Sequence, residues 1–111
     1  MKVAIIGSRT LFVDIGQFLK DTEVTEIISG GAKGVDTCAK EYALSHNIKY
    51  TEFPPDYNTY GKAAPLKRND IIIEKSDIVF AFWDEKSRGT KYVIEKCKKI
   101  KHPIRVFVLD K

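Results

Sequence analysis

Residues 48 to 53, Ile48-Lys49-Tyr50-Thr51-Glu52-Phe53, interleave apolar and polar side chains. A strand with that pattern keeps one face on a core and the other in water, as a strand at the edge of a sheet does. The runs Val3 to Ile6 and Ile78 to Trp83 are apolar nearly throughout, which suits strands covered on both faces. Val24 to Ile28 and Ile104 to Leu109 complete five runs of strand length.

Helical spacing fills the gaps between these runs. Leu11, Ile15, Phe18 and Leu19 lie between the first two, and Val35, Cys38, Ala39, Tyr42 and Ala43 follow the second. Pro65 suits the first turn of a third helix carrying Leu66, Ile72 and Ile73, and Val93, Ile94, Cys97 and Ile100 mark a fourth. Strict alternation of strand and helix calls for right-handed crossovers and a parallel sheet covered on both faces. The expected architecture is α/β, a Rossmann-like three-layer αβα sandwich over residues 1–111 as one domain. Its five-stranded parallel sheet has the order 3-2-1-4-5, which puts the amphipathic third strand at an edge and the apolar first and fourth strands inside. In such a sheet ligands bind beyond the C-terminal ends of the first and fourth strands, where the winding reverses.

Bulk properties narrow the class. A chain of 111 residues with 43% hydrophobic content supports one core without staples. The net charge of +4 is modest, and Lys96, Lys98, Lys99 and Lys101 cluster where they complement the negative end of the last helix. Cys38 and Cys97 each sit in an apolar helical pattern, the setting of small core residues in a reducing compartment. Neither cysteine belongs to a CxxC pair, and His46 and His102 fall in no ligand spacing, so no metal is expected. The apolar run near Met1 is too short for a signal peptide or a membrane span, so the expected location is the cytoplasm, away from membranes.

The chemistry concentrates in the turns after the strands. Gly7-Ser8-Arg9 follows the first, with a glycine that permits close approach and a guanidinium suited to phosphate or carboxylate. Ser29-Gly30-Gly31-Ala32-Lys33-Gly34-Val35-Asp36 follows the second and enters an amphipathic helix, whose first amides and positive dipole end form an anion site. The glycines read GGxxG after the second strand, which matches neither the dinucleotide fingerprint nor the Walker spacing. Asp36 in the first helical turn either compensates the dipole or supports the site from behind. Trp83-Asp84-Glu85-Lys86-Ser87-Arg88-Gly89-Thr90 follows the fourth strand, with Ser87 or Thr90 available as a helix cap. The connection over residues 54 to 64 is long, and its Tyr57 and Tyr60 suit either a lid that stacks on a base or a cover for a helix end.

These pieces, together with Pro55-Asp56-Tyr57, Tyr60-Gly61-Lys62-Ala63-Ala64-Pro65 and Arg68-Asn69, resemble the small bacterial members of the SLOG superfamily along nearly the whole chain. That group is Rossmann-like and tied to nucleotide-derived ligands. The chain is also similar to the lonely-guy phosphoribohydrolases, which cleave nucleoside monophosphates between base and ribose 5-phosphate with an arginine and a glutamate of a GGxGTxxE signature. Arg68 fits the arginine position. Three residues after Thr90 stands Val93, and Glu95 lies about 200° around the helix from it, so Asp84 or Glu85 is left to serve as acid or oxocarbenium stabiliser. The stretch Ser29 to Ala39 further resembles the bacterial DNA-processing protein A, which binds single-stranded DNA; Lys33, Arg9, Lys62, Arg68 and Tyr57 offer charge and a stacking ring for that use.

The resulting expectation is a site that binds a nucleotide or nucleotide derivative, with no further cofactor required. Ser29, Gly30, Gly31, Lys33 and Gly34 cradle phosphate; Ser87, Gly89 and Thr90 approach a second polar group; Gly7, Ser8, Asp36, Tyr57 and Asn69 complete the surroundings. Arg9 and Arg68 neutralise charge. If a reaction occurs, Arg68 and Asp84 are the catalytic candidates. Nucleic acid is the less favoured partner, and the resemblance implies a homo-oligomer.

Overall fold

Side chains of successive strand residues point to opposite faces of a sheet. In β1 (Lys2–Gly7), Val3 and Ile5 therefore enter one core, and Ala4 and Ile6 enter the other. The computed structural model describes residues 1–109; positions 110 and 111 of the expected domain lie outside the described residues. β1 is paired in parallel with β2 (Glu26–Ser29) on one side and β4 (Ile78–Trp83) on the other. β3 (Lys49–Glu52) flanks β2 and β5 (Ile104–Val108) flanks β4, giving the order β3-β2-β1-β4-β5 foreseen from the apolar patterns.

One face carries α1 (Ile15–Phe18) and α2 (Val35–Ser45), whose Ile15, Val35, Ala39 and Ala43 meet Val3, Ile5, Ile27, Phe80 and Phe82. The other carries α4 (Ala64–Lys75) and α5 (Arg88–Ile100), whose Ile72, Ile73, Val93, Ile94 and Cys97 meet Ala4, Ile6, Ile28, Val79 and Ala81. Burial of the Cys97 thiol pushes its pKa up to about 11, as suits a packing residue. No helix among the described residues is long and apolar enough to cross a membrane.

Three local readings change. The helix expected from Leu11 to Leu19 is one turn, Ile15–Phe18. Gly16 weakens it, and Phe18 anchors it edge-on against Phe82 at 4.9 Å and Phe107 at 4.8 Å. Leu11 still reaches the core, from a turn whose amide donates to the Ser8 carbonyl at 3.3 Å. The long connection before α4 contains a one-turn helix, α3 (Tyr57–Tyr60), started by Asp56, which accepts from the Thr59 amide at 3.1 Å and hydroxyl at 2.7 Å. Leu66, expected with the core residues of its helix, is instead exposed.

Strand register brings the chemistry to one edge. Gly7 is level with Phe82, so the turns after β1 and β4 lie side by side. The Ser8 amide donates to the Phe82 carbonyl and the Asp84 amide donates to Ser8 Oγ, each at 3.0 Å. β1 is followed by a crossover to β2 on its left and, later, by β4 on its right, and the crevice of the fold opens between those returns.

Candidate functional site

A cavity of about 590 Å³ occupies that crevice, within the size range of small-ligand sites. Ile6, Ile72, Pro65 and Leu66 supply apolar lining, and Gly7 lies beside them. Gly30, Ala32 and Asp36 border it from the β2 side. Asp84, Lys86, Ser87, Gly89 and Thr90 border it from the β4 side, with Thr10 and Arg9 arriving from the β1 turn and Arg68 and Asn69 from α4.

The turn after β2 is tied to itself. Asp36 Oδ2 accepts the Ala32 amide at 3.1 Å, and the Thr37 hydroxyl donates to the Ala32 carbonyl at 3.1 Å, so both polar groups of that residue are held from α2. Ser29 Oγ accepts the Gly31 amide at 3.4 Å. Gly34 caps α2 with φ +74°, and a Cβ there would stand 2.5 Å from the Arg9 carbonyl oxygen. Gly31 has φ +76°, and its Cβ would meet the Glu52 carboxylate at 2.5 Å. At Gly34 other residues are strained and the backbone leaves no room, whereas at Gly31 the positive φ alone disfavours them, the neighbour being the end of an exposed Glu52 side chain. A Cβ on Gly30 would collide with the Arg68 guanidinium.

Asp36 is only 6% exposed, and its Oδ1 has no hydrogen-bond partner among the described residues. Burial raises its pKa above the ordinary carboxylate value, against the Ala32 amide, the Arg68 charge, the Gly30 backbone and the Ser29 hydroxyl, which pull it down. It therefore does more than offset the helix dipole: it fills the mouth of the turn with a carboxylate.

The turn after β4 is organised differently. Asp84 Oδ1 accepts the Lys86 amide at 2.8 Å and the Ser87 amide at 2.9 Å, and Oδ2 accepts the Thr10 hydroxyl at 3.0 Å. These donors hold its pKa well below the ordinary value, led by the Lys86 and Ser87 amides. A carboxylate so held has no proton to give near neutrality, which suits it to stabilising positive charge and removes it as a general acid. Ser87 caps α5 by accepting the Thr90 amide at 3.3 Å. The space where a Cβ on Gly89 would sit, in the first turn of α5, is open apart from the helix's own backbone. Lys86 is exposed at the cavity rim.

Arg68 spans the site. Its Nη1 donates to the Gly30 carbonyl at 2.9 Å, and its Nε donates to Asn69 Oδ1 at 2.8 Å, which locks the guanidinium between α4 and the β2 turn. Half-burial lowers its pKa, with the Asp36 charge opposing and Arg9 adding to the fall. Arg9, Lys86 and Arg68 are the cations of the cavity; Asp36 and Asp84 are its carboxylates.

Of the residues nominated from sequence, Gly7, Arg9, Gly30, Asp36 and Arg68 line the cavity, as do Asn69, Asp84, Ser87, Gly89 and Thr90. Ser8 and Ser29 are buried behind it and hold backbone amides. Gly31, Lys33, Gly34 and Tyr57 fall outside the lining, and Gly31 and Tyr57 are exposed. Thr10, Ala32, Lys86 and Leu66 join the lining without having been nominated. Lys86 and Ala32 stood inside the quoted motifs, whereas Thr10 is found only through its bond to Asp84, 74 residues away.

Residues 1–60 match the model of a family described as YspA, cpYpsA-related SLOG (YAcAr). No curated protein and no solved structure gives a significant match.

Proposed function

The chain belongs to the YspA, cpYpsA-related SLOG family, and we propose that it binds a nucleotide or nucleotide derivative in the cavity between the β2 and β4 turns. The observation that carries this reading is the convergence of both glycine-containing helix starts and three cations on one cavity of about 590 Å³. Within it, the phosphate goes to the β4 side. There Gly89 lies in the first turn of α5 and Lys86 lies at the rim, while Arg9 lines the same cavity. The apolar wall of Ile72, Pro65 and Leu66 suits a base or ribose face. This moves the phosphate from the cradle read in the sequence at Ser29 to Gly34, because Asp36 already holds the Ala32 amide there. Thermal-shift measurements with AMP, cyclic AMP and ADP-ribose test the reading: stabilisation by at least one is expected, and no shift with any of them contradicts it.

A second reading is N-glycosidic cleavage of a nucleoside monophosphate. It is favoured by one feature, the ionised Asp84 in the same cavity as Arg68, since a fixed carboxylate stabilises an oxocarbenium ion. Free base should then accumulate on incubation with AMP, and an unchanged rate in Asp84→Asn would remove Asp84 from the chemistry.

A further inference from the structure

The two ends of the cavity are not equivalent as anion sites. At the β2 end the Ala32 amide is bound by Asp36, and the carboxylate of Asp36 is buried. At the β4 end the ionised Asp84 carboxylate is engaged by three donors, Lys86 lies at the rim, and the space where a Gly89 Cβ would sit is open.

We propose that Asp36 is a specificity-determining residue that closes the β2 end of the cavity to phosphate, so that the ligand carries its phosphate at one end only. This rests on the nucleotide reading above. The end of the ligand that faces Gly30, Asp36 and Asn69 is uncharged and bears hydrogen-bond donors, as a ribose or an exocyclic amine does. A phosphate placed there would lose the Ala32 amide to Asp36 and would sit beside a carboxylate whose Oδ1 has no described donor. Like charges brought together in a desolvated site are strongly unfavourable, and the one positive charge of Arg68, held at this end by the Gly30 carbonyl and Asn69 Oδ1, is already balanced by Asp36. Asp36 lines the cavity while its Oδ2 is committed to the Ala32 amide, so the carboxylate is fixed at this end.

The test is calorimetric titration, at low salt, of AMP, adenosine 2′,5′-bisphosphate and adenosine 3′,5′-bisphosphate. Wild-type protein is expected to bind each bisphosphate at least about tenfold more weakly than AMP, although electrostatic attraction to a +4 chain alone would favour the bisphosphates. Asp36→Asn, which keeps an acceptor for the Ala32 amide and removes the charge, should narrow that gap by about fivefold or more, and Asp36→Ser should do the same if the Asn variant fails to fold. A merely structural role for Asp36 would weaken all three nucleotides together and leave their ratio unmoved. Bisphosphates that bind the wild type as tightly as AMP overturn the inference, as does a ratio unchanged in both variants. Absence of AMP binding to the wild type overturns this inference, and absence of binding by cyclic AMP and ADP-ribose as well overturns the nucleotide reading itself.

Discussion

The turns after β2 and β4 both pass through glycine into a helix, and both contain an aspartate that accepts backbone amides. In the β2 turn the glycines are where neighbours press closest: Gly34 on the Arg9 carbonyl, Gly31 on Glu52, Gly30 on Arg68. In the β4 turn the space around Gly89 is open. Glycine relieves close packing in the first and stands in open space in the second. The carboxylates diverge in the same way. Burial raises the pKa of Asp36, whereas convergent donors depress that of Asp84.

Substitution at the two kinds of glycine gives the widest separation. Gly34→Val forces a β-branched residue to φ +74° with its Cβ 2.5 Å from backbone oxygen, and should cost about 3 kcal/mol or more in chemical denaturation. A loss under about 1 kcal/mol would mean that the turn relaxes readily and that its closeness carries no weight.

The carboxylates sharpen the contrast through pH. Asp36 has a raised folded-state pKa, so it disfavours the fold once the unfolded chain ionises; this penalty is absent below about pH 4 and grows as pH rises toward the folded value. Asp36→Asn should therefore gain stability relative to wild type between pH 4 and neutrality. Asp84 has a depressed pKa, so its contribution is favourable above about pH 4 and is lost as pH falls through the folded value. Asp84→Asn should lose stability near neutrality, and the deficit should close in acid. Melting temperatures across pH 2 to 8 check both, and slopes of the same sign would break the comparison.

The smallest stability effect is expected at the open glycine. Gly89→Ala meets no clash in the first turn of α5 and should stabilise the protein by a few tenths of a kcal/mol, while weakening AMP binding severalfold by covering the exposed backbone. Gained stability with unaltered binding would leave Gly89 outside the site.

The sheet was legible because burial writes itself into hydrophobic pattern: the mixed β3 and the apolar β1 and β4 are enough to order the strands. Leu11 shows the limit of that signal, since its spacing satisfies a helix although it reaches the core from a turn. At the site, sequence identified the turns but not what their glycines do. A glycine pressed by a neighbouring carbonyl and one standing in open space are the same letter, so no spacing rule shows that Gly34 sits against the Arg9 carbonyl. Asp36 read as either a helix-start acid or a support for the site; its bond back to Ala32 depends on a turn geometry that no spacing rule encodes. Lys86 stood in the quoted turn without a role, and only the structure puts it at the cavity rim.

Two lysines decide between the turns. Lys33 belongs to the β2 turn and lies outside the cavity, and Lys86 belongs to the β4 turn and lines it. Calorimetric titration of AMP against Lys33→Ala and Lys86→Ala should find the first close to wild type and the second weaker by about tenfold, the loss expected for a cation facing phosphate in a partly desolvated site. Affinity lost in Lys33→Ala and kept in Lys86→Ala would return the phosphate to the Ser29 to Gly34 turn and contradict the assignment of the two ends.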